Sequence, residues 1–138
     1  MITFNKTTLG IPTISLFLMV LTISCAQIIE SDEIFKNETV LKLNIYETDS
    51  VFIDKSVDLE MDSHKVKEIR NWIDNNKTDW KSSIASFAQP LISVIGNDFR
   101  MLIFKDFVVV GFANNKGKQR QFTKQIDYND FDFLLREK

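Results

Sequence analysis

Residues 91–126 contain four strand-like segments separated by short turn sequences, and this pattern constrains the fold more than any other feature. Turn-forming or charged residues follow each of the first three segments, and consecutive strands with such short links pair antiparallel. The nearly continuous apolar character of the third segment indicates a central strand covered on both faces. The fourth segment is more polar, which suits a sheet edge. We predict an antiparallel meander of strands at 91–95, 99–104, 107–113 and 119–126.

The preceding part of the chain adds a hairpin and a helix. Apolar residues alternate with polar ones in 40–47 and 51–59, on either side of a turn at 48–50. A helix then begins at a cap formed by Asp62 or Ser63 and ends near Asn75-Asn76. Its apolar stripe recurs at steps of three and four residues and comprises Val66, Ile69, Trp72 and Ile73.

The last segment resembles a second helix. Asp127 is suited to cap it, and Phe131, Leu134 and Leu135 are expected to face the sheet. The predicted order is therefore β-β-α-β-β-β-β-α. This order indicates an α+β fold, with an antiparallel meander sheet and two helices packed on one face.

The N-terminus has the three parts of an export signal. A polar start with one charge, Lys6, precedes an apolar core at 11–23, and the small residue Ser24 precedes Cys25. The apolar core is shorter than the roughly 18–20 residues that span a bilayer, so a permanent transmembrane helix is not expected. Cys25 is the single cysteine of the chain, which excludes an intramolecular disulfide.

Residues 21–25, LTISC, resemble the lipobox of bacterial lipoproteins. Ile23 and Ser24 fit that pattern, whereas Thr22 stands where an aliphatic residue is usual. The resemblance implies that Cys25 becomes the lipidated N-terminus and anchors the protein to a membrane of the cell envelope. Ordinary secretion, with cleavage near Ser24 or Ala26 and a free thiol, is the alternative. We divide the chain into a signal peptide (1–24), a lipidated cysteine with a tether (25–39) and a single α+β domain (40–138).

Charge and motifs argue against several classes of function. The chain has 17 basic and 19 acidic side chains, and Lys6 is the only charged residue before Cys25, so the mature chain has a net charge of −3. This balance does not suggest a nucleic-acid-binding protein. The single histidine, His64, lies in the first turn of a polar helix face, where an exposed structural role is expected. We identify no catalytic residues, no cofactor motif and no metal-ligand spacing.

Two other groups of potentially reactive residues also have simpler explanations. The acidic cluster of Asp127, Asp130 and Asp132 matches a helix start, where negative charge suits the helix dipole. Ser63, Ser82 and Ser83 match cap and loop positions. An enzyme is therefore not expected, although a hydrolase that uses His64 or the acidic cluster is a third interpretation.

Two features are candidates for a binding surface. Four cations fall in one turn and its following strand, and they would suit an acidic partner or anionic lipid headgroups; they are Lys116, Lys118, Arg120 and Lys124. The alternative is a solvated hairpin whose charges discourage aggregation. Trp80 is a candidate interface anchor, because it lies in an irregular segment, whereas Trp72 belongs to the apolar stripe of the helix.

The second half of the chain resembles small, uncharacterised envelope lipoproteins of bacteria. The shared features are the sequence NWIDNNKTDW, a hairpin at Gly96, the pair LIFKDFVVVGF and the closing DFDFLL. Proteins of this size and location include immunity proteins and inhibitors of envelope enzymes. We therefore expect a non-enzymatic lipoprotein that binds another envelope protein, and a lipoprotein that binds a small ligand is the alternative.

Overall fold

The computed structural model describes residues 27–48 and 51–136. The predicted signal peptide, Cys25 and most of the turn at 48–50 lie outside the described residues. No helix within the described ranges is long and apolar enough to cross a bilayer.

The α+β fold is confirmed, and its centre is an open antiparallel sheet of seven strands. In chain order the strands are β1 (Val40–Tyr46), β2 (Ile53–Glu60), β3 (Lys81–Ser82), β4 (Ile92–Ile95), β5 (Phe99–Ile103), β6 (Phe107–Ala113) and β7 (Gln119–Gln125). Their order across the sheet is β2-β1-β4-β5-β6-β7-β3. The predicted hairpin and four-strand meander are both present, with strand ends within two residues of those predicted.

One face of the sheet carries the main core. A row of paired residues runs across five strands and is buried throughout; it comprises Leu43, Val94, Met101, Val110 and Phe122. Since alternate residues of a strand point to one face, this register places every second apolar side chain of the meander on the same side. The helices pack together over this side and share the same hydrophobic cluster.

The long helix α2 (His64–Asn75) forms as its stripe predicts. The side chain of Ser63 caps it by accepting a hydrogen bond from the amide of Val66 at 3.4 Å. Val66, Ile69 and Ile73 are fully buried. Trp72 packs against the cluster at its margin and is only partly buried.

The predicted C-terminal helix is instead two short pieces. A 3₁₀ helix (Tyr128–Phe131) leads into one turn of α-helix, α3 (Asp132–Leu135). Asp127 caps the 3₁₀ turn, and its Oδ1 accepts from the amide of Asn129 at 3.0 Å. Phe131 and Leu134 are buried as expected, but Leu135 is exposed, because a helix this short buries one narrow stripe.

The segment predicted as a tether packs into the domain over the part that the structure describes. Residues Ser31–Ile34 form an additional helical turn, α1. Ile29, Ile34 and Phe35 are buried in the core. The Oγ of Ser31 donates to Asp74 Oδ2 at 2.7 Å, which ties α1 to α2. The folded domain therefore begins before residue 40, because burying these apolar side chains stabilises the fold more than exposing them in a spacer.

The predicted edge strand β7 is covered along part of its length. The two-residue strand β3 pairs with it at Phe122 and Thr123 and takes the edge position. From β3 the chain must reach β4, and residues 83–90 therefore cross the second face of the sheet. There Phe87 lies beside Phe104 and Phe107. This second layer accounts for β6, in which Val108–Phe112 are all buried, as predicted for a strand covered on both faces.

Candidate functional site

His64 lies at the exposed start of α2. Its Nδ1 is 2.9 Å from Oε2 of Glu68, one helical turn later. This pair has the geometry of an ordinary surface interaction along a helix. The acidic cluster of Asp127, Asp130 and Asp132 lies on other elements, at the start of the 3₁₀ turn and of α3. Within the described ranges, no group of three or more His, Cys, Asp or Glu side chains is arranged to hold a metal ion.

Trp80 is buried, so its predicted role as an exposed interface anchor is wrong. Only 3% of the residue is exposed. Its Nε1 donates to the carbonyl oxygen of Asn76 at 2.7 Å, and its ring meets Trp72 edge-on with centroids 6.2 Å apart. An isolated antiparallel β-bridge pairs Trp80 with Gln27, so the N-terminal segment lies beside it. Trp80 therefore joins the N-terminal segment to the end of α2.

The four predicted cations occupy different environments. Lys116 and Lys118 are exposed in the β6–β7 turn, where their amides donate to Oδ1 of Asn114. Arg120 lies 5.3 Å from the centroid of the Phe122 ring, and its guanidinium is 3.4 Å from Oε1 of Gln27. Lys124 donates to the carbonyl of Thr78 at 2.6 Å, with its ammonium 5.9 Å from the Trp80 ring.

Arg120 and Lys124 therefore flank the point where the N-terminal segment meets the sheet. Gln27 contacts Arg120 directly and forms the bridge to Trp80. The ammonium of Lys124 lies over the Trp80 ring. This arrangement was not predictable from the sequence, because nothing in the local pattern places Gln27 beside β7. The bridge joins residues 53 positions apart in the chain.

The opposite edge of the sheet carries exposed apolar side chains. Val51, Phe52 and Ile53 begin the β2 arm of the first hairpin and are 72%, 70% and 50% exposed. Val57, further along β2, faces the same side of the sheet as Leu59 and the helices. Leu59 is buried there, whereas Val57 is exposed. Beside Val57, a shallow groove of about 310 Å³ runs between the hairpin and α3 and is lined by Leu43, Ile45 and Leu134, among others.

A second cleft lies under the segment that crosses the other face of the sheet. It has a volume of about 450 Å³ and lies between residues 83–87 and the strands β5 and β7. Arg100 reaches across it and donates to Oε1 of Gln121 at 2.5 Å, and Gln121 Nε2 donates to the carbonyl of Ala85 at 2.8 Å. The missed residues Arg100 and Gln121 thus connect the sheet to the crossing segment.

No protein-family model matches this chain, and neither a curated protein nor a solved structure shows significant similarity to it.

Proposed function

We propose that the protein is a non-enzymatic lipoprotein, anchored in the bacterial cell envelope through lipid on Cys25, whose domain binds another envelope protein. The observation that carries the proposal is the run of three exposed apolar residues at the start of β2, Val51, Phe52 and Ile53, with Val57 also exposed further along the strand. A run of exposed apolar residues, rather than single scattered ones, is typical of sites where proteins interact.

The position of this surface also supports the proposal. In the strand order, β2 is at one end of the sheet and β3, which meets Gln27, is at the other. An anchor two residues before Gln27 therefore leaves the β2 edge on the far side of the domain. This edge is free to reach a partner in the same membrane or beyond it. An inhibitor or immunity protein needs such an accessible surface and needs no catalytic groups.

The β2 backbone adds a second means of recognition. Among the described residues β2 pairs with β1 alone and forms one end of the sheet, a position that suits the addition of a strand from a partner. Charged residues along it, including Asp54 and Asp58, limit uncontrolled pairing between copies. The combination suits a specific partner that inserts apolar side chains beside Val57.

Site-specific photocrosslinking in native membranes tests the proposal. A photoreactive amino acid at position 53 should give one dominant protein adduct, and the matched probe at Ile84, on the other edge, should not. The Cys25→Ser protein should retain the adduct, because binding resides in the domain. The proposal fails if probes at 51, 53 and 57 all give no discrete adduct.

The cleft beneath residues 83–87 favours a second candidate function, which is binding of a small ligand. Arg100 and Gln121 offer hydrogen bonds to a ligand with anionic or amide groups, provided that their mutual bond opens. A ligand that binds the folded state raises the melting temperature. A concentration-dependent rise with such a ligand, lost in Arg100→Leu, would favour this candidate.

A further inference from the structure

The surface around Gln27 lies closest to the proposed lipid anchor. Gln27 is fixed to the sheet by its bridge to Trp80 and its contact with Arg120. Cys25 is two residues earlier, and a fully extended chain covers at most about 3.6 Å per residue. The anchor at Cys25 can therefore lie no more than about 7 Å from Gln27. Any membrane that holds Cys25 must lie next to this part of the domain.

This part of the domain is positively charged. Lys81 and Arg120 are exposed beside Gln27 and Trp80, and Lys124 adds a charge although its ammonium is hydrogen-bonded. The strands and the crossing segment at this edge, 80–97 and 107–126, contain no acidic residue. Two acids border the edge: Asp79, which lines a small hollow together with Lys81 and Lys124, and Glu30, which lies 3.5 Å from the ammonium of Lys77. The edge therefore carries net positive charge although the mature chain is acidic.

Two exposed isoleucines accompany these cations. Ile28 directly follows Gln27 and is 57% exposed, whereas Ile84 is fully exposed at the start of the crossing segment. Ile84 and Arg120 line the same cleft, so the apolar and cationic side chains share one edge. Apolar side chains that project among cations are typical of surfaces that enter the headgroup region of an anionic bilayer.

We infer that this edge, defined by Ile28, Lys81, Ile84 and Arg120, docks onto anionic lipid headgroups and fixes the orientation of the anchored domain. The inference rests on the proposed function, because lipid on Cys25 brings the edge to the membrane. The anchor alone would leave the domain free to rotate. With the edge docked, the apolar β2 surface is held away from the bilayer.

Fluorescence of the lipidated protein in vesicles tests this orientation. Lipid occupies the sulfur of Cys25, so Ile84→Cys supplies the one free thiol for an environment-sensitive dye. Asp54→Cys, exposed on β2, is the matched control. The protein is reconstituted into vesicles of phosphatidylcholine, with or without phosphatidylglycerol. We expect a blue shift at position 84 in the anionic vesicles only, reversed by high salt, and no shift at position 54.

Charge reversal separates lipid docking from other causes of the shift. Lys81→Glu with Arg120→Glu should abolish the shift at position 84, whereas Lys67→Glu with Lys105→Glu, an equal change in net charge elsewhere, should preserve it. An unshifted dye in anionic vesicles, or equal shifts at positions 54 and 84, would overturn the inference. So would a shift seen only in native membranes, since that would indicate a protein partner.

The same samples distinguish this failure from failure of the proposed function. The mass of the N-terminal peptide reports whether Cys25 is acylated, and an unmodified cysteine would overturn both proposals. An acylated protein with an unshifted dye overturns the orientation alone. Photocrosslinking at position 53 tests partner binding independently of the dye.

Discussion

The carboxylate of Glu38 occupies the space beside Gly96 that a side chain at position 96 would need. Its Oε2 accepts from the amide of Asn97 at 2.6 Å and its Oε1 from the amide of Asp98 at 2.8 Å. A Cβ at Gly96 would overlap Oε2 and lie 2.5 Å from Cδ of Glu38. Glu38 is buried, and moving its carboxylate aside would break both hydrogen bonds to the turn amides. The β4–β5 turn is thus held by a residue from the N-terminal part of the chain.

We expect Gly96→Ala to lower the free energy of unfolding by about 1–3 kcal/mol, the usual cost of overpacking. Glu38→Ala should also destabilise, because two turn amides lose their acceptor. The double variant should be less unstable than the sum of the two changes, since the overlap is absent without the carboxylate. Denaturant unfolding of the four proteins measures this coupling. Strict additivity would show that Glu38 is not what excludes a side chain at position 96.

Ile29 and Ile28 are adjacent in sequence but differ in burial, which gives a matched test of the N-terminal segment. Ile29 is fully buried, and its amide donates to the carbonyl of Lys77 at 3.1 Å. We expect Ile29→Ala to cost about 2–5 kcal/mol. Ile28→Ala should change stability by less than about 0.5 kcal/mol, as for most surface substitutions. Chemical denaturation measures both, and equal small effects would indicate that this segment is a spacer after all.

The sequence was sufficient to predict the elements whose signals are local. The meander follows from apolar runs and turn residues that lie next to each other in the chain, and α2 follows from its stripe and the cap at Ser63. The segment 27–39 shows no sustained period. Its burial depends on partners such as Lys77 and Asp74, which are more than 40 residues away, and single-sequence patterns do not reveal such contacts.

The candidate site was predictable only in part for the same reason. The cations of β7 were identified from the sequence, but their position beside Gln27 depends on an isolated bridge. Trp80 was assigned to the surface because it lies in an irregular segment. Burial of such a residue is decided by the elements that fold over it. Strand β3 has only two residues and no pattern of its own.

The two tryptophans differ in one hydrogen bond, and this difference predicts an order of stability. Trp80 Nε1 donates to Asn76, whereas Nε1 of Trp72 is buried without a hydrogen-bond partner among the described residues. Trp80→Phe leaves the Asn76 carbonyl without this donor. Trp72→Phe removes an unsatisfied donor and loses only packing.

We therefore expect Trp80→Phe to be more destabilising than Trp72→Phe by about 1–2 kcal/mol. Thermal unfolding of the two variants, followed by circular dichroism, measures the difference without relying on tryptophan fluorescence. If Trp72→Phe proved the more damaging change, the packing of its ring, which lies 4.6 Å from Phe131, would outweigh the hydrogen bond of Trp80. The edge-on contact between the rings is altered in both variants, so it does not explain a difference.

Tyr128 predicts a specific dependence of stability on alkaline pH. Burial raises the pKa of its phenol above the ordinary value of 10.0, and the nearby negative charge of Asp132 raises the pKa further. The folded state therefore holds the phenol proton to higher pH than the unfolded chain does. The stabilisation is complete below pH 10 and is lost as the pH rises from the ordinary pKa through the raised one.

Tyr128→Phe should remove this contribution, so its unfolding free energy should fall less steeply than that of the unchanged protein above pH 10. Asp132→Asn should reduce the steepness in part, because burial still acts on the phenol. Denaturant unfolding at a series of pH values from neutral to alkaline measures the unfolding free energy of all three proteins. Subtracting one protein's values from another's removes the contribution of other titrating groups, which is common to all three. Identical slopes for the unchanged protein and Tyr128→Phe would show that Tyr128 ionises equally easily in the folded and unfolded chain.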